Sequence, residues 1–132
     1  MKLIVCLDDK NGFSFAGRRQ SRDSVQLEKM LESVGNSKIF VNEYTAKLFD
    51  SYPQNISVCE NPFQKADENS YCFVENLEIP VLDFSRIIIY RWNRHYPSDK
   101  KLPPQILRNK KLVLSTEFAG NSHEKITEEV YE

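Results

Sequence analysis

The densest chemistry in the chain is a run of guanidinium groups, Arg18-Arg19-x-x-Arg22-Asp23, which packs three cations into five residues. Arginine grips carboxylates and phosphates through paired hydrogen bonds, and this run leads into a helical pattern whose N-terminus adds partial positive charge. A small anionic ligand fits that chemistry, and so does a solvated loop whose arginines pair with Asp8, Asp9 or Asp23. A second cluster, Arg91-Trp92-Asn93-Arg94-His95-Tyr96-Pro97, has the composition of a stacking surface for bases or planar ligands. Strand alternation accounts for the same residues without a ligand, with Trp92 and Tyr96 finishing the core and Arg91 and Arg94 pointing outward. Histidine is the side chain that titrates near neutrality, so His95 is the candidate general base of this cluster. The candidate ligand-binding set is Arg18, Arg19, Arg22, Asp23, Arg91, Arg94 and His95, with no catalytic residue assigned.

Other titratable groups read as structural. Ser122-His123-Glu124 has nucleophile and base types, but sequence neighbours seldom converge as a catalytic triad does, and a turn satisfies all three. The Asp8-Asp9 and Glu128-Glu129 pairs read as solvated turn and edge residues. Cys6, Cys59 and Cys72 form an odd set without metal spacing and lie in apolar segments, so they are expected to be reduced core thiols, and no metal site is expected.

The elements that must position these groups follow from hydrophobic periodicity. Leu3 to Leu7 is a continuous apolar run and is expected to be the central strand. The stretch from Asp9 to Gly17 has the turn residues of a mobile loop. From an N-cap at Ser21 or Asp23, Val25, Leu27, Met30, Leu31 and Val34 recur at helical spacing up to Gly35-Asn36. Ile39-Phe40-Val41 is a second strand, followed by a short helix from Asn42 that ends near Tyr52-Pro53. Ile56 to Cys59 and Tyr71 to Val74 are further strands flanking a polar loop from Asn61 to Asn69, and one or two helical turns are expected before Pro80. Arg86 to Trp92 is the strongest strand, and Leu112 to Leu114 with Ile126 to Tyr131 predict an antiparallel hairpin around Gly120-Asn121. Strands alternating with helices and then a hairpin predict an α/β fold with one mixed, mostly parallel sheet flanked by helices.

Composition narrows the classes. The 132 residues, with 40% hydrophobic side chains, suffice to bury a core, and residues 1–132 are expected to form one domain without internal repeats. Eighteen basic against nineteen acidic side chains leave a net charge of −1, which supplies no global attraction to nucleic acid or anionic membrane. The longest apolar run, Ile87 to Tyr90, is too short to span a bilayer, and no signal peptide precedes the first strand, so a cytoplasmic location is expected. A homodimer through a sheet edge, or through Phe13 or Phe15, remains open.

Segment by segment, the chain resembles dihydrofolate reductase in shortened form. The resemblance is carried by the opening strand with Asp8 to Gly17, by Lys38 to Phe49 with Thr45 at a family threonine, by Cys72-Phe73-Val74 followed by Ser85 to Trp92 and Asp99-x-x-Leu102-Pro103, and by the ending Ile126 to Glu132. It implies the fold, while the departures fall on the reductase machinery. Arg19-Gln20-Ser21 stands at the family's leucine-proline-tryptophan, and Glu75-Asn76-Leu77 replaces the glycines that admit a dinucleotide, which argues against NADPH. Gln26 occupies the ungapped position of the family's acidic residue, and Asp23 reads as a helix N-cap. The chain also resembles a group of short bacterial proteins, some labelled ribonuclease Z, that have the Arg-Arg-Gln-Ser-x-Asp segment; two histidines are too few for that enzyme's two-metal cluster. The expectation is a dihydrofolate-reductase-like protein of another function, binding a small anionic ligand or a protein partner. The alternatives are a pterin- or nucleotide-dependent enzyme using Asp23 or Glu43 with Arg91 or His95, and a nucleic-acid-binding module.

Overall fold

The structure is a computed structural model that describes residues 1–51 and 53–132. The unbroken apolar run from Leu3 to Leu7, with Lys2 before it, makes β1 (Lys2–Leu7), the middle of a seven-stranded sheet. A hairpin of β2 (Gly12–Phe15) and β3 (Arg18–Arg19) follows, then helix α1 (Ser24–Val34). The chain continues through β4 (Ile39–Val41), α2 (Glu43–Ala46), β5 (Ile56–Val58), α3 (Pro62–Lys65) and β6 (Tyr71–Phe73). The remaining elements are β7 (Arg86–Arg91), β8 (Lys100–Lys101), a single 3-10 turn at Pro104–Ile106, β9 (Leu112–Phe118) and β10 (Ile126–Tyr131).

The large sheet has the order β5-β4-β6-β1-β7-β10-β9. β1 runs parallel to β6 and β7, β4 runs parallel to β5 and β6, and β10 returns antiparallel to both β7 and β9. This is the mixed, mostly parallel sheet with a C-terminal antiparallel hairpin that the sequence predicts. Alternation along the central strands splits the core. Ile4, Ile88, Tyr90 and Trp92 face Met30 and Val34 of α1, whereas Leu3, Val5, Ile87 and Ile89 face Phe13, Phe84 and Ile106 on the opposite side. Among the described residues no helix is long and apolar enough to cross a membrane.

Helix α1 begins and ends where its caps dictate, at Asp23 and at Gly35 with φ of 58°. Three segments differ from expectation. The stretch after Asp9 is not a loop throughout: β2 pairs with β3 and with distant β8, and Phe13 is buried, a long-range pairing that local composition does not encode. Pro62 at the first helical position with an Asn61 cap makes α3 inside the segment expected to be a loop. No helix precedes Pro80, because Glu75 is held by Arg19 and Asn76 exchanges hydrogen bonds with Asn42 and Gly17, so the chain bends at Glu75 to Leu77 and then runs irregularly to Pro80. The helix from Asn42 is a single turn, and its expected end at Tyr52 lies outside the described residues.

Two acidic residues expected to be solvated are buried instead. Asp8 accepts hydrogen bonds from the main-chain N–H groups of Lys10, Gly12 and Tyr96. Burial alone would raise its carboxyl, but those donors outweigh it and hold the group below the ordinary carboxylate range. Glu128 accepts from Tyr90 Oη at 2.6 Å and from Ser33 Oγ at 2.6 Å, joining β10, β7 and α1. Burial, reinforced by Glu128, raises the Tyr90 phenol far above its usual value. Tyr90→Phe is therefore expected to cost about 1–2 kcal/mol in chemical denaturation, and in a spectrophotometric alkaline titration Tyr90 should ionise only as the protein unfolds.

Candidate functional site

In open sheets of this kind ligands bind beyond the carboxyl ends of the parallel strands. Here those ends are Leu7, Val41, Phe73 and Arg91, and the β2–β3 hairpin, the start of α1 and the turn between β9 and β10 converge above them. Three features occupy this edge.

The first is centred on Asp23. Its carboxylate caps α1 by accepting from Val25 N and Gln26 N, and it also accepts from Asn121 N at 2.9 Å and Ser122 N at 2.8 Å across the molecule. His123 Nδ1 donates to Asp23 Oδ2 at 2.9 Å, which fixes a proton on that nitrogen because a carboxylate only accepts. The other ring nitrogen, Nε2, lies 3.0 Å from Ser21 Oγ and 3.1 Å from Tyr96 Oη, and the imidazole stacks on Trp92 with centroids 4.5 Å apart. Burial would raise the Asp23 carboxyl, yet Asn121, His123, Ser122 and Gln26 outweigh it and hold the group well below the ordinary range. Gly120 belongs to the same arrangement, since a Cβ there would meet Asp23 Oδ2 at 2.5 Å.

The second feature is an ion pair drawn across the cleft. Arg19 donates from Nε to Glu75 Oε2 at 2.8 Å and from Nη2 to Glu75 Oε1 at 3.0 Å, while its guanidinium stacks 4.2 Å from the Tyr44 ring centroid. Burial lowers Arg19, and the bond to Glu75 outweighs it; burial likewise raises Glu75, only partly offset by Arg19. What remains between Cys6, Phe13, Ser21, Val74, Trp92 and this pair is a cavity of about 10 Å³, the room of roughly one water molecule. Gln20 Oε1, Gln26 Nε2 and Thr45 Oγ1 are buried without a hydrogen-bond partner among the described residues.

The third feature is open. Arg18 lines a depression of about 250 Å³ with Phe15, Gln20, Tyr96 and Pro97, and Arg94 lines another of about 360 Å³ against Gly120 to Glu124. Arg18, Arg22 and Arg94 are exposed and take part in none of the ion pairs found among the described residues. Larger depressions of about 670 and 520 Å³ lie over the β4–β5 side, lined by Glu78, Glu60 and Glu43.

The expected site residues thus separate. Arg18, Arg19 and Arg22 do gather at the start of α1, but Arg19 is committed to Glu75. Arg91 is bound to Glu129 and Asn11, and His95 is exposed with Nδ1 3.7 Å from Asp8. Trp92 is buried and faces His123, so it presents no ring to solvent. Sequence reasoning missed His123, Glu75 and Asp8. The signal for His123 was present, a histidine beside a glycine turn, but two of its partners, Asp23 and Ser21, lie about one hundred residues away. The thiols are all raised above their ordinary value, Cys72 to about 12, with burial as the leading cause. Among the described residues no three His, Cys, Asp or Glu side chains gather as metal ligands.

No family model matches the chain, and no curated protein matches it. Among solved structures, dihydrofolate reductase from Enterococcus faecalis complexed with NADP(H) and RAB-propyl matches over 99% of this chain and 94% of that one, with a TM-score of 0.66 and 11% identity. The fold is dihydrofolate-reductase-like.

Asp23→Ala is expected to cost about 3 kcal/mol, combining a lost cap with stranded donors on Asn121, Ser122 and His123. The folded pKa lies below the unfolded value near 3.9, so the stabilisation is complete above about pH 4 and fades as pH falls through the folded pKa. Thermal melts across that range should show a shallower acid limb for Asp23→Asn than for the natural chain; identical limbs would refute this role.

Proposed function

We propose that this protein is not a nicotinamide-dependent reductase and that it binds a small anionic ligand on the exposed arginines at the carboxyl end of its sheet. The observation that carries the reading is the division of the arginines: Arg19 is spent closing the cleft with Glu75, whereas Arg18 and Arg94 line open depressions and Arg22 is exposed. Arg18 beside Phe15 and Tyr96 offers a guanidinium next to aromatic faces, a combination suited to a planar carboxylate or a phosphate monoester.

The residues at the cleft do not fit a dinucleotide. The Glu75 side chain stands where close backbone approach would be needed, and the roomier β4–β5 side presents Glu43, Glu60 and Glu78 to any phosphate. Asp23 is a poor proton donor for a pterin, because its hydrogen bonds all favour the ionised form. A stacking nucleic-acid surface loses its main platform with Trp92 turned inward. The chain's two histidines serve separate contacts, one with Asp23 and one near Asp8, which speaks against the two-metal chemistry implied by the ribonuclease Z label. A protein partner is the second reading, favoured by the exposed aliphatic residues of β9.

The test is differential scanning fluorimetry with NADPH, folate, and a panel of small carboxylates and phosphate monoesters. A ligand at one hundred times its dissociation constant stabilises by about 2.7 kcal/mol. A shift is expected with a member of the anion panel, lost in Arg18→Ala or Arg94→Ala, and none with NADPH; a clear NADPH shift would overturn the reading.

A further inference from the structure

The two edges of the large sheet are built differently. β5 is three residues long, whereas β9 runs for seven, and Leu112, Val113 and Leu114 are 51%, 53% and 51% exposed. Both faces of β9 are uncovered up to Glu117, so among the described residues no helix or loop lies over that part of the strand. An edge strand exposes a row of unpaired main-chain donors and acceptors, and natural proteins guard such edges with charge or proline along their length. Here the first half of the strand carries aliphatic residues, and a bulge lifts Val113 out of register with β10. Lys110 binds Asp83 at 2.8 Å, which holds the exposed Val81-Leu82 loop close to the start of the same strand.

We infer that β9 is the dimer interface, occupied by β9 of a second copy laid antiparallel about a twofold axis near Leu114. The charge pattern selects this occupant. Cations, Lys110 and Lys111, stand at one end of the strand and Glu117 at the other, with only apolar and hydroxyl side chains between them. Antiparallel self-pairing therefore sets the lysine end of each strand beside the glutamate of the other, and symmetry makes that contact twice. A parallel pairing would oppose like charges at both ends. Glu117 already lies 3.5 Å from Lys125 on the surface, so it is held at the edge without being buried. The dimer joins two seven-stranded sheets into one and pairs the main-chain donors and acceptors that the edge of each β9 leaves unpaired. This inference is independent of the anion reading, since the arginine-lined depressions lie at the carboxyl end of the parallel strands.

Sedimentation velocity over a micromolar concentration series tests it. A concentration-dependent dimer is expected for the natural chain. Leu114→Lys, at an exposed position, should leave the melting profile of dilute protein unchanged and give a monomer throughout. Lys111→Glu should weaken association roughly tenfold by setting acid against acid, and Lys111→Glu combined with Glu117→Lys should restore it. A monomer at every concentration overturns the inference and leaves the edge to a strand of a different protein; a dimer indifferent to both single variants also overturns it, by placing the interface elsewhere.

Discussion

One buried carboxylate holds the carboxyl end of this sheet together. Asp23 completes the first turn of α1 and simultaneously receives the main-chain N–H groups and the imidazole of the turn between β9 and β10. Because that turn sets where β10 begins, the same oxygen atoms that start a helix near the N-terminus also seat the strand beside β7. The demand on neighbouring residues is strict. Position 120 has no room for a Cβ, Ser21 and Tyr96 must offer hydroxyls to the far side of the imidazole, and Trp92 must lie flat against it. Few groups around Asp23 could be exchanged without stranding a buried donor.

A fold shared with dihydrofolate reductase at 11% identity shows which part of such a fold is set by pattern and which by particular side chains. Strand order survives because it depends on where apolar runs fall and on the handedness of crossovers. The carboxyl edge is rebuilt. Arg19 and Glu75 fill the cleft as a bidentate pair whose desolvation is offset by each other and by the Tyr44 ring. A pair of this kind contributes little net stability compared with apolar packing, but removing either partner leaves a charge stranded, so the closure is self-enforcing.

The sequence made the large sheet legible because β1 and β7 are apolar runs, and α1 because Asp23 and Gly35 bracket a helical repeat. It hid whatever depends on distant partners. Gly12 and Ser14 look like loop residues until Lys101 and Lys100 pair with them, and Asp8 looks solvated until Tyr96 and Gly12 turn their amides toward it. Among the candidate site residues, Arg18, Arg19 and Arg22 are sequence neighbours just before α1. Charge density could not tell which of them a glutamate more than fifty residues away would claim. Asp23 as a cap was readable from local preference, whereas its second role was not, since the turn it receives carries no motif pointing back to residue 23.

Trp92 is the sole indole of the chain, and it lies against the one imidazole that Asp23 holds in place. Its emission is therefore a built-in optical gauge of that single contact. A turn that swings away with His123 would part the two rings and admit water to the indole. The molecule reports, in its own colour, whether its two ends are still joined.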